Sequence, residues 1–310
     1  MQVDTPLRDP VWSYRTGSLI ALTDDGRLAA VDHVASPARA TTRLSARLDA
    51  GRNVQISRAD DRTVFVPQPE RNRVAAVELT DLRQVGRIDA GPAPAYLSED
   101  SGMRVLLALS ADGSTVTPVD QFGMRKLPAA PVSAGATGIV DGANRGRAIE
   151  YHVYGPAGIS YYKGPSSPPE HRGSYATGVS VAAGDGTAAS RVYFSDTGRD
   201  TLYAVEAARG GHGLREIGRA RVGSPIRYLG SDDTRVYAAT DTDVTVFESA
   251  SFTGYPNGSI PVLRVIDYRA GLPSGPARSA PLSGMAIGPD RVYLTLRGQP
   301  VVAGVAKPRL

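Results

Sequence analysis

The 310-residue sequence contains no cysteine. That excludes disulfides, thiolate metal sites, iron–sulfur clusters and cysteine nucleophiles. It leaves the compartment open, because a chain of this length can bury enough surface without covalent staples. Histidine is also scarce: His33, His152, His171 and His212 are the only four, and no two stand in a ligand spacing. Tryptophan occurs once, at Trp12. No apolar run approaches the roughly 18 residues that a membrane-spanning helix needs. The excess of basic over acidic residues is +4 and scattered along the chain, without a basic run or a basic-aromatic signature, so nucleic-acid binding is not expected. There is no G-x-S-x-G elbow, no H-E-x-x-H pair and no long helical periodicity. The start, MQVDTPLRDP, lacks the charged and apolar regions of a signal peptide.

What the chain does have is punctuation and repetition. Its 34 glycines and 23 prolines break up short runs of Val, Tyr, Thr and Leu, the pattern of many short strands joined by tight turns. Strand-like phrases begin at Arg62 (RTVFV), Arg104 (RVLLAL), Arg147 (RAIEYHV), Arg191 (RVYFS), Arg235 (RVYAAT) and Arg291 (RVYLTL), the first five spaced by 42 to 44 residues. Each is followed by a second phrase such as VAAVE or LYAVE, and SLIALTDDGRLAAVD near the N-terminus adds a seventh pair. A period of about 40–50 residues with four strands is that of a β-propeller blade, whose two apolar faces are covered only by neighbouring blades. The expected fold is therefore all-β, a single seven-bladed propeller with units near 7–51, 51–91, 91–135, 135–178, 178–223, 223–271 and 271–310. The last unit is one strand short, so the N-terminal segment VDTPLR is expected to close the ring there. Aspartates recur in the turn after each first strand (ADDR, EDSG, DGAN, GDGT, SDDT, GPDR) and are read as turn chemistry rather than a calcium array.

The turn and strand phrases SRADDRTVFV and GSDDTRVYAAT, followed by VAAVEL or LYAVE and closed by IDAGPAP or VGSP, resemble the seven-bladed propellers of the YVTN-repeat, lactonase-like group. The resemblance spans nearly the whole chain and specifies fold rather than activity. It implies a bacterial protein exported from the cytoplasm, secreted, periplasmic or lipid-anchored, with a cytoplasmic location as the alternative. Related propellers include lactonases and quinone-dependent dehydrogenases. Trp12 has no repeated counterpart here, which argues against a quinone cofactor, and no catalytic position can be carried over. No cofactor is expected.

With no nucleophile–base pair or metal triad to assemble, the expectation is a non-catalytic monomer that binds a protein of the cell envelope, such as a transporter component. The alternatives are a small-molecule hydrolase or a carrier of metal or small ligand at the channel mouth. Chain direction places the candidate residues on the upper face, where inner strands start and second strands end: Tyr14, Arg52, Asn53, Gln68, Arg71, Tyr96, His152, Asp196, Arg227, Tyr228, Asp241 and Arg297. Tyr96 in AYLSED and Tyr228 in RYLGSDD should be equivalent positions three blades apart, and Arg52, Arg71, Arg227 and Arg297 could converge on an anionic group. His152 and Asp196 align at one level of adjacent blades, and two ligands fall short of what zinc requires.

Overall fold

A computed structural model describes all residues except 101, 103, 134, 141–146, 188–189, 197, 250–253 and 310. The DGAN turn, Ser101 of the EDSG turn and the start of the 252–261 loop lie outside the described residues.

Seven antiparallel sheets form a closed ring, and the described residues are all-β apart from four single-turn 3-10 segments. Each blade is built outward in chain order. Blade 2, for example, runs from its inner strand Gln55–Ile56 through Thr63–Gln68 and Arg73–Glu78 to Gln84–Asp89. The two middle strands are apolar along their length because both faces are covered. Val64, Val66, Ala75 and Val77 pack toward blade 1, whereas Phe65, Val74 and Ala76 pack toward blade 3. Burying each such side chain contributes roughly 1.5–3 kcal/mol. This is why the repeat reads as RTVFV and VAAVE rather than as a strict polar–apolar alternation, which suits a sheet with one wet face.

The recurrent aspartates hold the lower turns. Asp60 accepts from the amides of Arg62 and Thr63, and Asp232 from those of Thr234 and Arg235. Asp185 accepts from the Thr187 amide and hydroxyl and from the Tyr193 hydroxyl. These carboxylates serve the backbone just downstream of them, as turn aspartates do.

Blade 7 contributes three strands, Leu282–Ile287, Arg291–Leu296 and Gln299–Ala306. The N-terminus supplies the rest, as expected, but through Met1–Val3 rather than residues 3–8. Gln2 bridges Val301, the Val3 amide donates to Pro300 O and the Val302 amide to Met1 O, both at 2.9 Å. Leu7–Ser13 is already the inner strand of blade 1. At the inner seam Ser283 Oγ donates to Leu7 O at 2.7 Å, and Gly284 leaves a notch filled by Pro10.

The proline-rich 271–284 connection is pinned to the upper side by Arg269, whose guanidinium donates to the carbonyls of Asp241, Ala277 and Ala280. Within the 252–261 loop, Tyr255 and Ile260 are buried against blade 5, and the Ile260 amide donates to Arg219 O.

Candidate functional site

The upper mouth of the channel is filled rather than hollow. Tyr96, on the inner strand Pro94–Asp100, shares a hydrogen bond with Tyr154, at the end of the Ile149–Gly155 strand of blade 4. Tyr228 begins the inner strand of blade 6. Burial and the nearby Asp9 carboxylate push its hydroxyl up to about 12, against the partial relief of Arg297, so it stays protonated and able to donate. Tyr96 and Tyr228 hold equivalent starts of inner strands and lie within electrostatic reach of each other.

Charged groups rim this tyrosine plug. Arg227 Nε donates to Asp241 Oδ2 at 2.7 Å, and Asp241 Oδ1 accepts from the Leu282 amide. Arg71 reaches Asp49 at 2.6 Å. Arg52 reaches from blade 2 past blade 3 to Thr137 O at 3.2 Å. Arg297 is exposed beside them.

Other candidates prove to be parts of the frame. The Asn53 amide exchanges two bonds of 2.8 Å with the Leu97 backbone, tying blade 2 to the inner strand of blade 3. Gln68 is buried, donating to Leu48 O and accepting from Arg73. Tyr14 follows the last residue of the blade 1 inner strand and therefore lies on the lower face, opposite to expectation. Its misplacement has a local cause: Asp9 and Pro10 interrupt the strand with a bulge, so its start is hidden in the sequence.

His152 and Asp196 are not at one level. Asp196 ends its strand and pairs with Arg199 at 3.0 Å, whereas His152 is mid-strand, stacked on Tyr161. Burial lowers the His152 pKa to about 3, and neither ring nitrogen has a hydrogen-bond partner among the described residues. Among the described residues no group of three or more His, Asp or Glu side chains could hold a metal ion.

Three participants escaped the sequence. Arg8 donates to Asp9 at 2.9 Å and to the carbonyls of Gly51 and Arg52, tying blade 1 to blade 2. Asp9 sits at φ +47°, and burial raises its pKa against the opposing pull of Arg8. Tyr154 completes the plug. The Asp-Pro dipeptide was the available signal, since it marks a break in an extended run.

Below the plug a cavity of about 210 Å³ is lined by inner-strand residues including Gln55, Ser98, Ile139 and Leu229. It shares Arg58 and Gly184 with a lower mouth of about 490 Å³ at Tyr14, Asp232 and Asp233. Tyr96 lines this cavity on the side of the plug, and Arg58 and Gly184 border it on the side of the lower mouth.

No family model matches the sequence, and no curated protein matches it. Similar solved structures are numerous and distant. A chain of the mitotic checkpoint complex superposes with a TM-score of 0.74 at 11% identity, covering 100% of this chain and 93% of its own. The virginiamycin B lyase of Staphylococcus aureus gives 0.70 at 10%, covering 99% and 98%. The U3-55K protein gives 0.71 at 10%, covering 99% and 97%. At such identities the likeness establishes the seven-bladed fold alone.

Proposed function

We propose that this protein is a non-catalytic binding scaffold whose upper face docks another protein, and that it works outside the cytoplasm with a cell-envelope partner. The observation that carries this reading is the filled mouth: exposed Arg52, Arg227 and Arg297 surround a plug of Tyr96, Tyr154 and Tyr228. A small ligand is best served by a concave, enclosed pocket with a few convergent polar groups. A surface of arginine and tyrosine suits a protein interface, where those residue types combine contact area with directional hydrogen bonds. The extracytoplasmic location is supported by the resemblance to exported propellers.

Affinity capture from cell envelopes with the wild type and with an Arg227→Ala/Tyr228→Ala/Arg297→Ala variant tests the reading. The Arg227–Asp241 pair is largely exposed, so its removal should leave folding nearly unchanged. Partner recovery should fall at least roughly tenfold, the consequence of losing one or two anchor residues. Equal recovery would remove the upper face from consideration, and a metal or metabolite in the native mass spectrum would favour a carrier.

A further inference from the structure

The arginines of the upper mouth are not equally occupied. Arg8 is paired with Asp9, Arg71 with Asp49 and Arg227 with Asp241. The Arg269 guanidinium is spent on three carbonyls. Arg297 is exposed, and among the described residues its guanidinium takes part in no hydrogen bond or ion pair. Arg52 gives one N–H to Thr137 O and has no carboxylate within ion-pair distance among the described residues.

The fold fixes what Arg297 stands beside. It follows the Arg291–Leu296 strand of blade 7, and its amide donates to Pro281 O at 2.8 Å. From blade 6, Tyr228 packs against the cluster that contains Leu282 and Leu296. Its hydroxyl is within electrostatic reach of Arg297 and has no hydrogen-bond partner among the described residues. Arg227 spends only Nε on Asp241, whose other oxygen holds the Leu282 amide. The seam of blades 6 and 7 thus presents a set of unspent donors: the Arg297 fork, the Tyr228 hydroxyl and the remaining Arg227 N–H groups. On the other side of the plug, Arg52 acts on Tyr96 and Tyr154 as Arg297 acts on Tyr228.

A guanidinium fork beside a hydroxyl matches the oxygens of a carboxylate. The carboxylates of Asp9 and Asp241, set among these arginines, would repel an evenly charged polyphosphate chain. Separate carboxylates on a peptide can avoid them. We propose that the upper face receives an acidic segment of its protein partner, with one carboxylate held by Arg297 and Tyr228 and another by Arg52. This rests on the upper-face reading and adds the chemistry of the partner.

The probe is a labelled, end-capped hexapeptide of alternating Glu and Gly, compared with its Gln–Gly counterpart by fluorescence anisotropy. The Glu peptide should bind at least about tenfold more tightly, and its affinity should fall as salt rises. Arg297→Gln should cost roughly tenfold and flatten that salt dependence, and Tyr228→Phe should cost roughly fivefold. Both variants should melt like the wild type, since neither lost group is bonded to another described residue. Arg125→Gln, the same change of charge on the outer strand of blade 3, should bind the peptide like the wild type. Equal binding of the Glu and Gln peptides, binding indifferent to Arg297→Gln, or none at millimolar peptide would overturn the proposal. Full competition by succinate at equal concentration would overturn it in favour of a free carboxylate, and tighter binding of an oligonucleotide in favour of nucleic acid. Envelope capture separates this proposal from the reading beneath it. A partner lost by the Arg227→Ala/Tyr228→Ala/Arg297→Ala variant but kept by Arg52→Gln/Arg297→Gln leaves the upper face in place and overturns only its acidic chemistry.

Discussion

Replacing Gly284 by alanine is expected to cost about 3 kcal/mol, at the upper end of what overpacking usually costs. The melting temperature should fall by roughly 5 °C for a chain of this size. The reason lies at the inner seam of the ring. A methyl group on Gly284 would stand 2.1 Å from Pro10 Cδ and 2.7 Å from the Asp9 amide nitrogen. Neither can step aside cheaply: proline is a rigid ring, and Asp9 is backbone already held in the left-handed region at φ +47°. The two inner strands of blades 7 and 1 meet through this notch and through Ser283 Oγ on Leu7 O, so the added group pushes directly on closure. Gly284→Val should be worse. Gly271→Ala is the control, because an added methyl there meets nothing within 4 Å and the backbone needs no positive φ. Equal melting temperatures for Gly284→Ala and Gly271→Ala would show that the seam yields freely.

The second large effect is in the dependence of stability on pH, where two buried groups oppose one another. Glu99 Oε1 accepts from Gln121 and from the Arg58 amide, but its Oε2 is buried without a partner among the described residues. Burial raises its pKa to about 7, the Gln121 bond, Arg58 amide and Arg58 charge pulling it down and the Asp60 charge pushing it up. Its ordinary value is 4.5, so the folded state holds the extra proton between about 4.5 and 7. Stability then falls with rising pH by about 1.4 kcal/mol per unit across that window. His152 does the reverse. Burial alone lowers it from 6.5 to about 3, so the unfolded chain holds the extra proton and stability falls as pH drops through that range. Between roughly 4.5 and 6.5 the two slopes cancel. Glu99→Gln should therefore be more stable than the wild type at pH 8, by on the order of 3 kcal/mol, and no different at pH 4. His152→Phe keeps the stack on Tyr161, loses no hydrogen bond and should remove the decline on the acid side. Denaturant titrations at pH 4, 5.5 and 8 decide it. Parallel curves for Glu99→Gln and wild type at pH 4 and 8 would mean that Glu99 titrates normally.

The blades were legible because the physics that builds them repeats. A middle strand covered on both faces must be apolar throughout, so Arg-Val-Tyr and Val-Ala-Ala phrases recur at blade spacing. A lower turn needs a carboxylate for its own amides, so Asp recurs before them. The site was legible only in part. Tyr96 and Tyr228 were found because their phrases repeat, and Arg227 because it precedes one of them. Asp9, Arg8 and Tyr154 carry no repeat, since each answers a demand made once: the seam, its tie to blade 2, and the last gap in the plug. His152 lies two residues from the level that aligned strand starts give it. Aligning strand starts ignores that the Ile149–Gly155 strand runs beyond the point where the Arg191–Asp196 strand stops.

Closing the ring through Met1–Val3 and Pro300–Val302 also sets an order of events during synthesis. At roughly 5–20 residues per second, residue 300 leaves the ribosome about 15–60 s after residue 2. For that interval the earlier blades can stack on one another as they emerge, because each needs only its predecessor. The first three residues have no strand to join. A contact spanning so much chain carries the largest loop entropy in the molecule and contributes only once everything between is ordered. The ring is therefore an open arc until Pro300–Val302 have been made, and only then can it become a circle.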